Sequence, residues 1–175
     1  GKGHKDFEVK LGKGITLKQD QLRRDFWMNA MARDVETGEI HDIEGKGQTD
    51  IDNKQIRVIG IRAFREDPLR MLRAVQFAAR FEFTIEPKTM DQIKSSVNLI
   101  KTVSPERFQE EFRKMFEKGT PSVGVALLKE TGILKKLFPR ARDSFPMEYD
   151  KLDKKGFPAF LAVLLRGHKS KDIQS

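Results

Sequence analysis

An acceptor and a donor stand one helical turn apart in the segment Glu66-Asp67-Pro68-Leu69-Arg70. Asp67 is a favoured N-cap residue, and Pro68 suits the first helical position. Arg70 then occupies the third helical position, where a capping box takes Glu or Gln. A cation there also opposes the helix dipole. Local rules broken without a visible gain mark candidate functional sites. The chemistry such a pair offers is specific, because a carboxylate accepts hydrogen bonds and a guanidinium donates them. The pairing edge of cytosine presents an amino donor beside a ring-nitrogen acceptor, and adenine does the same. Uracil and guanine present the reverse order. An Asp67/Arg70 pair can therefore select C and A over U and G. The two residues also read as a helix cap with an i,i+3 ion pair, a contact that stabilises a helix by only about 0.2–0.5 kcal/mol.

Three other segments carry chemistry. The first is Arg23-Arg24-Asp25-Phe26-Trp27-Met28-Asn29-Ala30, the second the Gly-containing acidic loop from Asp42 to Asp50, and the third Glu106-Arg107-Phe108-Gln109-Glu110-Glu111-Phe112-Arg113-Lys114-Met115. Arg23 and Arg24 can fork onto phosphate or sugar oxygens, and Asp25 can accept from ribose hydroxyls. Arg24 and Asp25 also read as one surface ion pair. Taken in order, these segments resemble the class II tRNA nucleotidyltransferase family, the CCA-adding enzymes and bacterial poly(A) polymerases. RRDFxxNA looks like motif B, the acidic loop like motif C, EDPLRxLR like motif D and ERFQEEFRKM like motif E. The resemblance covers roughly residues 6–139.

The resemblance implies template-independent addition of C and A to the 3′ end of the tRNA acceptor stem, from CTP and ATP with Mg2+, by a cytoplasmic enzyme. It implies that Asp67 and Arg70 read the incoming base. Arg23, Arg24, Asp25 and Asn29 would recognise ribose and triphosphate, and Arg73 would support the base-reading pair or a phosphate. Glu66 would orient the helix start. Motif C departs from the usual Asp-Pro with adjacent glycines, since Ile43 follows Asp42 and Lys46 separates Gly45 from Gly47. The loop still suits a hinge between C-adding and A-adding geometries. The family's motif A, an Asp-x-Asp pair that holds the metal ions, does not occur here. Asp50-Ile51-Asp52 has the letters but stands out of order and reads as a solvated turn. No catalytic carboxylate or metal ligand is therefore expected in these 175 residues, and this chain alone is expected to be inactive although its parent is an enzyme. Two other readings stay open: a non-catalytic RNA- and nucleotide-binding fragment, and a parent with poly(A) polymerase activity.

Composition narrows the classes. The 175 residues are 38% hydrophobic and 34% charged, the balance of a soluble helical protein with a modest core. No apolar run approaches bilayer-spanning length, and no signal-peptide pattern opens the chain. With no cysteine, disulfides and thiolate metal sites are excluded. His4, His41 and His168 lack metal-ligand spacing. The formal charge is +8, and it is uneven: residues 101–175 hold 16 Lys and Arg against 10 Asp and Glu, whereas residues 1–100 hold 18 against 16. A basic second half suits a polyanion surface.

These side chains need elements to position them. The pattern predicts an opening strand at 7–11, a short helix at 17–23 with a Thr16/Gln19 capping box, a helix at 26–32, a hairpin turning at Thr37-Gly38 and a strand at 55–59. Trp27 and Met28 are expected to pack against the sheet. From Asp67 onward the period becomes helical, with helices at 67–81, 88–100, 105–118, 121–130 and 133–138, and an apolar one at 157–165. Arg70, Arg73, Phe77 and Arg80 share one face of the first of these. Phe108, Phe112, Met115 and Phe116 form a buried stripe on the third. The expected fold is α+β and mostly α. Residues 1–60 would be the last part of a nucleotidyltransferase head sheet, 61–118 a helical neck and 119–175 the start of a helical body.

Overall fold

The computed structural model describes residues 10–11 and 15–139. The helix expected at 157–165 lies outside them. The chain runs β1 (Lys10–Leu11), β2 (Ile15–Thr16), α1 (Leu17–Leu22), β3 (Ala32–Arg33), β4 (Ile40–His41), α2 (Lys46–Asp52), β5 (Gln55–Ile56), α3 (Ala63–Glu66), α4 (Leu69–Phe81), β6 (Thr84–Ile85), α5 (Pro87–Ser96), α6 (Pro105–Lys118), α7 (Pro121–Glu130) and α8 (Ile133–Leu137). Among the described residues the architecture is mostly helical, with three two-stranded sheets: β1 with β2 and β3 with β4 antiparallel, β5 with β6 parallel.

Much of this follows from local chemistry. The Thr16 hydroxyl accepts the Gln19 N–H, and the Gln19 side chain accepts the Thr16 N–H, so α1 starts with the expected capping box. Pro105 and Pro121 open α6 and α7 at their first turns. Gly38 takes φ +74° in the turn between β3 and β4, a conformation costly for a side chain. Glu86 caps α5 by accepting the Thr89 N–H at 2.7 Å. That helix ends at Ser96, and a 3-10 segment continues over Val97–Thr102.

Three expectations are corrected. The predicted helix at 26–32 is a single 3-10 turn, Trp27–Asn29. Phe26 is extended and bridged to Val58, because the Trp27 N–H donates to the Arg57 carbonyl (3.1 Å) and the Ile59 N–H to the Asp25 carbonyl (3.0 Å). Those inter-segment bonds use groups that a helix would have paired internally. Trp27 packs on α2 rather than a sheet: the Lys46 ammonium sits 4.7 Å over its ring, and Gly47 faces its carbonyl. Asp50 is not in a solvated turn. It lies in α2, is 1% exposed, and receives Arg57 Nη2 at 3.0 Å and Nε at 3.2 Å. Burial pushes its carboxyl above the ordinary range, against the opposing pull of Arg57.

One buried cluster runs from Phe26 through α4 to Phe138. Helix α4 is its axis. Met71, Ala74, Val75, Ala78 and Ala79 are fully buried, and α6 and α7 pack against them. Burying each large side chain stabilises the fold by about 1.5–3 kcal/mol. The alanines let the chain approach closely, and the Thr120 N–H reaches the Ala79 carbonyl at 2.9 Å. On α6, Phe112, Met115 and Phe116 are buried as the spacing predicts, with Phe108 packed at the edge. With one side of α4 committed to the core, its N-terminal arginines are left on the other.

Candidate nucleotide-recognition site

The start of α4 is built as its sequence requires. Asp67 is extended, and its Oδ1 accepts the Leu69 N–H at 3.2 Å. The i,i+3 ion pair of the alternative reading is not made. Among the described residues, Asp67 Oδ2 receives Arg107 Nη2 at 3.0 Å, and Arg70 Nη2 donates to the Arg23 carbonyl at 2.7 Å. Glu66 stands 3.9 Å from Arg70 Nη1, a loose contact at the helix start. Acceptor and donor are thus held by separate partners and keep unused capacity. A carboxylate offers about four lone-pair sites and a guanidinium five N–H donors.

The segment around Asp25 meets α4 from across the fold. Asp25 is 8% exposed. Its Oδ1 accepts the Phe26 N–H (2.9 Å) and Asn29 Nδ2 (3.1 Å), and its Oδ2 accepts Arg73 Nε at 2.7 Å. It does not pair with Arg24. The Arg73 guanidinium also lies 5.1 Å over the Phe77 ring, and Phe77 meets Phe26 edge-on at 5.9 Å. Arg23 and Arg24 both bind Asp20, whose carboxyl those hydrogen bonds hold below the ordinary range.

These contacts frame a cleft of about 460 Å³, lined by Arg24, Asp25 and Asn29 on one side and Asp67, Arg70, Arg73 and Phe77 of the α4 region on the other. Its volume suits a small-molecule ligand. Three guanidiniums against two carboxylates favour an anion. Six of the seven expected residues line it. Arg23 contributes its carbonyl to Arg70 and its side chain to Asp20. Of the predicted face on α4, Arg80 stands apart, over Phe81 at 4.9 Å. The motif C loop does not line the cleft: Asp42 caps α2 by accepting the Gly47 and Gln48 N–H groups, each at 2.8 Å.

Sequence reasoning missed three supports. Asp20 stands three and four residues before Arg23 and Arg24, so helical spacing could have flagged it. Glu111, 4% exposed, interrupts the apolar stripe of α6, and a charge on a buried face is a legible signal. Arg107 is 40 residues from Asp67 in sequence, and nothing local announces their contact. No group of three or more His, Cys, Asp or Glu converges as a metal site among the described residues. Asp25 and Asp67 are each committed to an arginine and do not form a divalent-ion ligand set. No helix among the described residues is long and apolar enough to cross a membrane.

Comparison with known proteins bears on this geometry. The family model described as "Poly A polymerase head domain" matches residues 2–57, and that described as "Probable RNA and SrmB-binding site of polymerase A" matches residues 82–144. The Multifunctional CCA protein of Nitrosomonas europaea is 42% identical over 140 residues, covering 79% of this chain and 33% of that protein. The Xanthomonas campestris protein of the same name is 39% identical over 145 residues, covering 79% and 35%. The chain thus spans about a third of the length of the curated relatives it matches. Among solved structures, the Thermotoga maritima CCA-adding enzyme complexed with tRNA superposes with a TM-score of 0.77 at 28% identity, over 89% of this chain and 42% of that one. A CCA-adding enzyme with ATP gives 0.80 at 27% identity, over 94% and 47%.

Proposed function

The chain belongs to the class II tRNA nucleotidyltransferase and bacterial poly(A) polymerase family, and from that premise we propose that the protein carrying it adds C and A to the 3′ end of tRNA from CTP and ATP. The observation that carries the reading is the pairing pattern at the cleft: Asp67 and Arg70 both line it, and neither neutralises the other. Asp67 accepts from the amino group of C or A, and Arg70 donates to the adjacent ring nitrogen. U and G set donor against donor and acceptor against acceptor. Asp25, fixed by Arg73 and Asn29, accepts from the ribose hydroxyls, while Arg24 and Arg73 offset triphosphate charge. Arg23 acts through its carbonyl, which aims Arg70. In this reading residues 1–60 belong to the head, 61–118 to the neck and 119–175 to the start of the body.

Mg2+ is the ion of nucleotidyl transfer in this reading, but the cleft carboxylates Asp25 and Asp67, each bound by an arginine, do not fit as its ligands. The substrates named for related structures, a complex with ATP and one with CTP, support the nucleotide choice. Asp67→Ala and Arg70→Ala test it in the full-length polypeptide. Each variant should give up about 1–3 kcal/mol of C/A-over-U/G discrimination, the size of a good bidentate side chain–base pair, before tRNA binding weakens. If both variants still prefer CTP and ATP over UTP and GTP, the base-reading assignment is wrong. A product ladder of A residues on generic RNA would favour the poly(A) polymerase branch of the family, which the head-domain match also supports.

A further inference from the structure

Glu111 is a buried carboxylate that the recognition scheme above does not use. It lies on α6 among Phe112, Met115 and Phe116, at 4% exposure. Its Oε1 has Lys114 Nζ at 3.2 Å and Arg73 Nη1 at 3.5 Å, and its Oε2 is buried with no hydrogen-bond partner. Burying a charge is costly unless it is paired and fully bonded. A packed apolar residue at such a position is often neutral or stabilising. Core packing therefore does not account for a carboxylate here, and its connection to the cleft does.

That connection is Arg73. One guanidinium reaches two carboxylates from different nitrogens: Nε to Asp25 at 2.7 Å and Nη1 toward Glu111 at 3.5 Å, with its central carbon 5.1 Å from the Phe77 ring centre. Without the second anchor, Arg73 regains rotamer freedom and Asp25 Oδ2 loses a fixed donor. We propose that Glu111 is a positioning residue for sugar recognition, fixing through Arg73 the Asp25 carboxylate that accepts from the ribose. The inference rests on the ribose role proposed for Asp25, and its test separates the two.

The readout is the ratio of affinities for CTP and 2′-deoxy-CTP, measured by calorimetric titration of the full-length polypeptide. A merely structural role for Glu111 leaves that ratio unmoved. Asp25→Asn should abolish the preference. Glu111→Gln keeps the shape and removes the charge, and should lower the preference by about tenfold, the order seen when an outer partner that orients a binding group is lost. If Asp25→Asn leaves the ratio intact, the ribose reading fails and takes this inference with it. If Asp25→Asn abolishes the ratio while folded Glu111→Gln retains it, the ribose reading stands and the Glu111 proposal is overturned. Should Glu111→Gln fail to fold, Glu111→Asp decides, because the shorter side chain keeps the charge but withdraws the carboxylate from Arg73 Nη1. A reduced ratio in that variant supports the proposal, and an unchanged one overturns it.

Discussion

Asp20 in α1 and Asp50 in α2 respond to opposite forces. Asp20 is held low by hydrogen bonds from Arg23 and Arg24, so its contribution to stability is present above the ordinary carboxylate value and is lost as pH falls through its lowered one. Asp50 is pushed up by burial, although Arg57 grips both its oxygens. The folded state then binds more protons than the unfolded one. Stability from this group is greatest below the ordinary value and declines as pH rises through the raised one. Asp50→Asn removes that slope. Its melting temperature relative to the parent should improve as pH rises above the ordinary carboxylate value and level off once the raised one is passed. A gap that stays constant across that range would show that burial does not govern Asp50. At the same scale, the types and spacing of Asp67 and Arg70 pointed to the site. Their partners, Arg107 and the Arg23 carbonyl, are 40 and 47 residues away and could not be read locally.

Among the elements, those with local start and stop chemistry were legible. The Thr16/Gln19 box, Pro105, Pro121 and the apolar period of α6 all act within a turn or two, so α1, α6 and α7 form where the letters place them. The 3-10 turn at Trp27–Asn29 and the two-residue β6 were not legible, because each is decided by a strand contributed from elsewhere: the bridge to Val58, and the parallel pairing with β5. Close approach of elements is likewise set by single residues. A Cβ on Gly119 would lie 2.8 Å from the Met115 carbonyl and 3.0 Å from the Ala79 backbone, where neither neighbour can swing aside. Gly119→Ala should therefore cost about 1–3 kcal/mol, the usual penalty for overpacking, visible as a lower midpoint in urea. An unchanged midpoint would mean that α4 and the end of α6 are less tightly apposed than their separation indicates.

For the whole molecule, charge asymmetry makes a prediction that no single contact does. Most of the excess of cations lies in residues 101–175, and α8 carries Lys135 and Lys136 in its last turn, within the segment matched to an RNA-binding description. If that half meets tRNA phosphates, as the proposed function requires, Lys135→Ala with Lys136→Ala should weaken tRNA binding. The slope of log affinity against log salt should then fall by about 1–2. CTP binding should stay as it was, because neither lysine lines the cleft. An unaltered slope would place the RNA path elsewhere on the surface.

The amino-acid sequence by itself pointed to the family, to the helices between Asp67 and Leu137 and to six of the seven residues that line the cleft, because motif letters, caps and apolar periods are short-range quantities. The tertiary structure decided which charges meet. Arg24 pairs with Asp20 and not Asp25, Asp67 pairs with Arg107 and not Arg70, and Arg73 spans Asp25 and Glu111. Ion pairs are chosen by proximity and burial once the core has closed, and α4 is placed only when its alanine face is packed on α6 and α7.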